Sequence, residues 1–164
     1  NDRLGQNYNC IVQDFFEGTL SALVAAHSSI KKYKKLNLSF PESSGHSETL
    51  KNGFLEYCSR FSMSNEVMGS LSENDILKNE VYLVIDDGDL IRLLEVSKNH
   101  GWRLGRDIGV ISYNETPMKK VIRDGISVLS CDFSKMADEM AGFIKNQEAV
   151  QKNIPIEFIK RNSI

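Results

Sequence analysis

Two groups of polar side chains in the second half of the chain are of the types that bind small molecules. Asp86, Asp87 and Asp89 follow the apolar run Val81–Ile85, and Asn114 comes shortly after the next apolar run. Carboxylate oxygens accept hydrogen bonds from ligand hydroxyls, and the carboxamide of Asn114 can both accept and donate. These residue types predict binding to a hydroxyl-bearing ligand.

A metal site and purely local roles are the alternatives for the same residues. The aspartates lack the twelve-residue spacing and the terminal glutamate of a calcium loop, so no metal site is predicted. One of the three is expected to cap a helix, because a short carboxylate accepts the free N–H groups of a first turn. A turn role also stays open for Asn114, which lies just before Thr116 and Pro117.

No set of residues in the sequence is typical of catalysis. The three histidines, His27, His46 and His100, have no Ser, Cys or Asp partner at a recognisable catalytic spacing. The phosphate-binding signatures GxGxxG and GxxxxGK[ST] are missing, as is the nucleophile motif GxSxG. The sequence therefore predicts a binding protein without a cofactor, and Trp102 is interpreted as a packing residue.

The elements that must position the polar groups form a β-α-β unit. Val81–Ile85 has the continuous apolar character of a strand that is covered on both faces. Leu90 and Leu93 recur at helical spacing, and 108–111 opens a second strand. In an open parallel sheet, ligands bind beyond the carboxyl ends of the strands, which is where these aspartates and Asn114 are expected.

Strands and helices alternate through nearly the whole chain. This alternation predicts an α/β fold, with a three-layer, doubly wound and mainly parallel sheet. Val67–Leu71 is predicted as a short strand, and Ser134 as the cap of a late helix. Residues 147–153 are predicted as a polar linker, followed by a last strand that carries Ile156–Ile159.

Size and composition are those of an ordinary globular chain. It has 164 residues, enough for one domain or one lobe of a larger one, and a net charge of −2, which disfavours a broad nucleic-acid surface. No apolar run approaches the length of a membrane-spanning helix. Cys10, Cys58 and Cys131 lie far apart, so they are interpreted as reduced, buried thiols of a cytoplasmic protein.

Several stretches resemble the effector-binding domain of LacI/GalR-type transcription repressors, which has the type I periplasmic-binding-protein fold. The most specific are Asp107–Pro117, which reads DIGVISYNETP, and Arg161–Ile164, which reads RNSI. Asn1–Arg3 (NDR) and Val12–Gly18 (VQDFFEG) resemble the stretches around the first crossover between lobes. The NETP variant is most similar to GntR-type winged-helix regulators that carry the same sensor domain.

This resemblance implies a chain that lacks part of a two-lobed protein. Residues 3–115 and 154–164 would form the C-terminal lobe, and residues 116–151 would be a strand and a helix that belong to the N-terminal lobe. The rest of that lobe and the DNA-binding domain would be absent from this chain, which begins at Asn1 without a methionine. A homodimer would be expected, with DNA contacted only through the absent domain.

The resemblance also implies a ligand-binding set of Asp86, Asp87, Asn114 and Asp14. Asp87 matches an aspartate that binds effector hydroxyls, Asp86 stands where many members have asparagine, and Asn114 matches the residue at the second crossover. Members often carry an arginine three residues before a Gly-Phe or Gly-Trp pair, where it clamps ligand oxygens. Here that position is Leu50, so the identity of the ligand is not predicted beyond a sugar or sugar derivative.

Three functions are compatible with these features. The leading one is the effector-sensing part of a bacterial transcriptional regulator, in which a small molecule binds between lobes and modulates operator binding. The second is a transport-type periplasmic sugar-binding protein of the same fold. The third is an α/β enzyme, for which the sequence offers no pair of a nucleophile and a base.

Overall fold

The structure is a computed structural model that describes residues 10–41, 45, 47–146 and 151–164. The strands are β1 (Cys10–Gln13), β2 (Leu36–Ser39), β3 (Asn65–Met68), β4 (Val81–Val84), β5 (Gly109–Tyr113), β6 (Ser127–Cys131), β7 (Gln151–Ile154) and β8 (Ile156–Ile159). The helices are α1 (Phe15–Ile30), α2 (Glu48–Arg60), α3 (Asp87–Asn99), α4 (Pro117–Val121) and α5 (Phe133–Asn146), with single 3-10 turns at Glu73–Asp75 and Ile122–Asp124. The stretch Asn1–Arg3 and residue His46 lie outside the described residues.

Six strands form the main sheet, in the order β3-β2-β4-β5-β6-β8. All pairs are parallel except β6 with β8, which is antiparallel. The predicted α/β class with a mainly parallel sheet is confirmed. Every residue of β4 and of β5 is buried, as expected of strands with helices on both faces.

Alternate side chains of the strands enter two separate cores. Val81 and Leu83 pack with α1 and α2 on one face of the sheet. Tyr82 and Val84 pack with α3 on the other face. Because successive residues of a strand point to opposite faces, this division gives the three-layer arrangement directly.

The polar residues of β2 are buried rather than solvated. Asn37 and Ser39 alternate with leucines, yet neither is exposed to solvent, because β2 lies between β3 and β4. The Asn37 amide donates to Glu80 Oε2 at 2.7 Å, and the Ser39 hydroxyl donates to the carbonyl of Gly69 at 3.0 Å. Hydrogen bonds of this kind offset the loss of hydration of a buried polar group.

The two motifs that carried the resemblance meet at β6. Arg161 pairs with Glu115, and its guanidinium also donates to the carbonyl of Ile126 at 2.6 Å. Ser163 receives a hydrogen bond from Ser127 N–H at 2.7 Å and donates to the carbonyl of Val110 at 2.6 Å. The stretch 161–164 thus ties together the beginnings of β5 and β6.

A second, two-stranded sheet was not predicted. In it, β1 pairs in parallel with β7, with Cys10 opposite Gln151, and α5 contacts β1. Of the predicted linker, residues 147–150 lie outside the described residues, whereas Gln151 begins a strand. The sequence QKN has no strand-like pattern, so the strand depends on pairing with a distant partner.

Two sequence predictions need correction. The strand predicted at Val67–Leu71 lies two to three residues earlier, since the Leu71 N–H donates to the carboxylate of Asp89 at 3.1 Å instead of joining the sheet. Asp132, not Ser134, caps α5, because Asp132 Oδ1 accepts from the N–H of Lys135 at 2.9 Å.

β6 lies within the range 116–151 and pairs with β5 and β8 in the main sheet, whereas β1 and β7 form the separate sheet. The division of the chain into lobes stays a prediction. None of the helices in the described part of the chain is long and apolar enough to cross a membrane.

Gly53 allows α1 and α2 to pack closely. A Cβ at this position would lie 2.5 Å from the carbonyl oxygen of Phe16 and 3.2 Å from Thr19 Cβ.

We expect Gly53→Ala to lower the free energy of unfolding by about 1–3 kcal/mol, because backbone atoms must move apart. Urea denaturation measures the change. The matched control is Gly142→Ala in α5, where an added Cβ meets no neighbour. There alanine is expected to stabilise the helix by about 0.5–1 kcal/mol relative to glycine. An equal effect of the two substitutions would contradict the close approach.

Candidate functional site

The carboxyl ends of β4 and β5 bring three of the four candidate residues to one edge of the sheet. Val84 is in register with Ser112, so the residues that follow the two strands emerge side by side. Asp86 and Asp87 begin α3 at this edge, and Asn114 directly follows β5. We call this edge, with Asp86, Asp87, Asn114 and the nearby Lys119, the β4–β5 edge.

Asp86 is the helix cap that the sequence predicted. Its Oδ1 accepts a hydrogen bond from the N–H of Gly88 at 2.7 Å, and its backbone is extended, as is typical of an N-cap. The negative charge also lies at the positive end of the helix dipole. One oxygen of Asp86 is therefore committed to the fold.

Lys119 connects the start of α3 with the end of β5, and no pattern in the sequence indicates this role. Its side chain is only 3% exposed, and its ammonium lies 2.9 Å from Asp87 Oδ1. The same ammonium donates to the carbonyls of Tyr113 and Asn114, each at 3.0 Å. All three of its donors are thus occupied, and a buried charge is balanced by one carboxylate. Lys119 lies in α4, a stretch that gave no clear pattern in the sequence.

Asn114 adopts a left-handed backbone conformation, with a φ of 61°. Asparagine tolerates this region better than most residues, which explains its place at the turn. The N–H of Asn114 donates to the carbonyl of Leu129 at 2.8 Å. Its side-chain Oδ1 is buried and has no hydrogen-bond partner among the described residues. Asn114 therefore acts as a turn residue and still has an acceptor to offer.

Asp89 does not join this group. It is buried, accepts a hydrogen bond from Ser39 and from the N–H of Leu71, and pairs with Arg92 at 3.2 Å. These contacts fix the segment that follows β3 against α3. The three neighbouring aspartates thus have three different partners, and the described residues contain no group of three potential metal ligands.

Asp14 lies in a different depression of the surface. Its Oδ1 accepts from the N–H of Glu17 at 3.0 Å, and its own N–H donates to Asn153 Oδ1 at 2.9 Å. These residues line a groove of about 520 Å³ with Gln13, Phe15, Phe16, Ser47 and Thr49. Asp87 and Asn114 are not among the residues that line it. The structure brings Asp86, Asp87 and Asn114 to one edge of the sheet, and Asp14 lines a groove whose lining includes none of them.

The clamping position is closed in this chain. Leu50 is fully buried in the core between α2, α1 and the sheet. Leu50 packs in the core, so this position cannot supply the guanidinium that the resemblance would place there. The polar side chains of the β4–β5 edge are therefore the carboxylates, the amide and the ammonium described above.

The remaining reactive side chains have packing partners. His27 Nδ1 is 2.9 Å from the Tyr57 hydroxyl, and its ring stacks on Phe61 at 4.1 Å between ring centroids. His100 Nδ1 is 2.9 Å from the carbonyl of Val96. The cysteines are free thiols, and burial raises the pKa of Cys58 to about 12, so that thiol stays protonated at neutral pH.

No protein-family model and no curated protein matches the chain. Solved structures do. An Alkaliphilus metalliredigens periplasmic binding protein/LacI transcriptional regulator, complexed with D-xylulofuranose, matches with a TM-score of 0.74 at 16% identity over 96% of this chain and 66% of that one. The Escherichia coli transcriptional repressor ascG matches with a TM-score of 0.79 at 14% identity over 100% and 67%. A dimeric Lac repressor matches with a TM-score of 0.74 at 19% identity over 93% and 62%.

These similarities show the fold. The chain shares the fold of these LacI-type regulators, as the sequence resemblance predicted. It spans 66% of the length of the Alkaliphilus regulator and 62% of that of the dimeric Lac repressor.

The ion pair between Lys119 and Asp87 can be tested by a double-mutant cycle. Asp87→Ala leaves the buried ammonium without its counter-charge, and we expect it to lower the free energy of unfolding by about 1–2 kcal/mol. In the Lys119→Met background the same substitution is expected to cost less than about 0.5 kcal/mol, because Asp87 itself is 64% exposed and stays hydrated. Urea denaturation of the four proteins gives the coupling.

The control pair is Asp138→Ala with Lys119→Met. Asp138 is an exposed carboxylate on α5 that forms no ion pair with Lys119. These two changes are expected to be additive. A cost of Asp87→Ala that is the same in both backgrounds would show that the pair contributes nothing to folding.

Proposed function

We propose that the chain is the ligand-sensing part of a bacterial DNA-binding transcriptional regulator. The observation that supports this most directly is the match of 93–100% of the chain to solved repressors of the LacI type. The binding groups at the β4–β5 edge agree with it, because ligands of open parallel sheets bind at this edge. The slightly acidic composition, with a net charge of −2, agrees with DNA contacts made by residues outside this chain.

In this proposal the ligand is a sugar or a sugar derivative. Asp87 uses one carboxylate oxygen to pair with Lys119 and can accept from a ligand hydroxyl with the other. Asn114 offers an unpaired side-chain oxygen next to it. The complex of the Alkaliphilus regulator with D-xylulofuranose shows that a protein of this fold takes a small polyol of this kind.

Ligand binding would act by a shift between two arrangements of lobes. The lobe that closes over the β4–β5 edge would come from residues outside the main sheet, to which α5 and the β1-β7 pair lead. A ligand that contacts both lobes favours the closed arrangement by its extra contacts there. The spacing of the DNA-binding parts, and with it the affinity for the operator, would change with closure.

The ligand site is tested by titrating a panel of neutral pentoses and hexoses and their acids into the chain, followed by NMR of the backbone amides. We expect saturable shifts at the β4–β5 edge for one compound class. Asp87→Ala and Asn114→Gly should each weaken that binding at least tenfold, about 1.4 kcal/mol, because each removes a hydrogen bond to a hydroxyl. Glycine retains the left-handed backbone at position 114.

Asp138→Ala is the control for a lost surface carboxylate and should leave the affinity unchanged. Circular dichroism confirms that the variants are folded. Saturable binding that neither site variant weakens would place the ligand elsewhere, and the groove at Asp14 would then be the next region to mutate.

We also propose that the chain forms a homodimer through an apolar face on α3 and α4. This face consists of Ile91, Leu94, Met118, Val121 and Ile122. Ile91, Met118 and Val121 are 55%, 63% and 73% exposed, which is high for large apolar side chains. Ile91, Leu94 and Ile122 also line a shallow groove of about 320 Å³.

The charges beside this face suit a second copy of the same chain. Glu95 and Lys98 flank the groove, one helical turn apart and of opposite sign. A two-fold axis can set Glu95 of each protomer against Lys98 of the other, because a symmetric interface uses one patch twice. The matched Lac repressor is described as dimeric.

Ile91→Glu is expected to shift the chain from dimer to monomer, since it places a charge in the centre of the face. Sedimentation velocity at several protein concentrations measures the change. Leu77→Glu is the matched control, because Leu77 is 52% exposed and outside the face, and it should leave the association unchanged. A wild-type chain that is monomeric at high concentration would contradict the proposal.

A further inference from the structure

A small pocket lies at the opposite edge of the sheet from the candidate ligand site. It has a volume of about 290 Å³ and is lined by Trp102, Arg103, Leu104, Arg123, Asp124 and Asn162. The first three of these residues precede β5 and the next two precede β6, so the pocket is at the amino ends of these strands. Asn162 follows β8, which runs antiparallel and ends at the same edge. We call it the Trp102 pocket.

Two unpaired guanidinium groups border the Trp102 pocket. Among the described residues, the four other arginines each lie in an ion pair: Arg60 with Glu56, Arg92 with Asp89, Arg106 with Asp107, and Arg161 with Glu115. Arg103 and Arg123 have no such carboxylate partner in that part of the chain, and both line the same cavity. The opposing charge in the lining is the carboxylate of Asp124, which leaves a net positive pocket.

The backbone at Arg123 is held in an uncommon conformation. Arg123, Asp124 and Gly125 have φ angles of 53°, 64° and 99°, a run of three residues in the left-handed region. For a non-glycine residue this region costs about 1 kcal/mol or more. Contacts with the stretch 161–164 maintain it, since Asn162 donates to the carbonyl of Asp124 at 2.8 Å. A Cβ on Gly125 would lie 2.8 Å from the side chain of Arg161, so the close approach requires glycine.

Strained residues persist where the surrounding structure determines them, and they are frequent at binding sites. Here the strain turns the chain so that Arg123 lines the same cavity as Arg103, from a separate loop. The indole of Trp102, which stacks with His100 at 4.6 Å between ring centroids, contributes an aromatic ring to the lining. The lining thus combines two guanidinium groups with an aromatic ring.

We propose that the Trp102 pocket binds a small anion that carries a phosphate or carboxylate group next to a hydroxyl. Guanidinium groups bind such oxygens with two parallel hydrogen bonds, which makes them selective for planar or tetrahedral anions. The hydroxyl would donate to the carboxylate of Asp124, which otherwise repels an anion. The site is separate from the β4–β5 edge and does not depend on the function proposed for that edge.

The chain contains a single tryptophan, so the pocket has its own spectroscopic reporter. The experiment titrates inorganic phosphate, and in a second series glycolate, into the 164-residue chain at constant ionic strength and pH. Tryptophan fluorescence and the NMR signal of the indole N–H are recorded. We expect a saturable change for at least one of the two probes, and the comparison of the series decides between a phosphate and a hydroxy acid.

The double variant Arg103→Gln with Arg123→Gln should weaken this binding at least tenfold. Arg60→Gln is the control, because it replaces a guanidinium by an amide on α2, outside the pocket, and should leave the affinity unaltered. Arg123 also borders the apolar face. The titration is therefore repeated with Ile91→Glu, in which the saturable change should persist.

Three results would overturn the proposal. The first is a change in the tryptophan signals that rises linearly with both probes, as a general salt effect does. The second is a saturable change that is equally strong in the double variant and in Arg60→Gln. Loss of the response in Ile91→Glu would also contradict it, since the pocket would then be formed by association of two chains.

Discussion

Burial of the central sheet on both faces is the constraint from which the other features of this chain follow. β4 and β5 have no exposed residue, so neither strand can present a polar side chain to solvent along its length. Polar residues inside the sheet, such as Asn37 and Ser39, must find partners in the protein. Groups that are to meet a ligand can lie only where strands end, and the two edges of the sheet consequently differ in chemistry. The carboxyl ends carry Asp86, Asp87 and Asn114, whereas the amino ends of β5 and β6 carry Arg103 and Arg123.

Lys119 shows how the fold makes such an edge rigid. A buried ammonium is costly unless its hydrogen bonds and its charge are satisfied. Here two carbonyls at the end of β5 and one carboxylate at the start of α3 satisfy it. The same contact fixes the position of Asp87 relative to Asn114, which no interaction along the chain could do. A charged residue that looks solvent-exposed in the sequence thus belongs to the most constrained part of the edge.

The sequence predicted those parts of the fold that depend on local pattern. The apolar run of β4, the spacing of Leu90 and Leu93 in α3, and the aspartate cap of α3 all follow from neighbouring residues, and the structure confirms them. β7 could not be predicted, because its polar residues become a strand only by pairing with β1, far away in sequence. The burial of Lys119 and the position of Asp14 in a groove that Asp87 and Asn114 do not line are likewise set by tertiary packing. The cap of α5 is a local contact, from the N–H of Lys135 to Asp132, and the prediction of Ser134 placed it two residues too late.

The stretch 161–164 has a consequence for the order in which the molecule is assembled. Ser163 bonds to Val110 and Ser127, which lie 53 and 36 positions away, and Arg161 reaches Glu115 over 46 positions. Contacts of such sequence separation carry a large loop-closure entropy and form late and slowly. β5 and β6 can pair before this stretch arrives, but the left-handed turn at Arg123–Gly125 acquires its supporting contacts only afterwards. The amino edge of the sheet thus depends on contacts over 36 to 53 positions, whereas the β4–β5 edge is built from elements that follow one another along the chain.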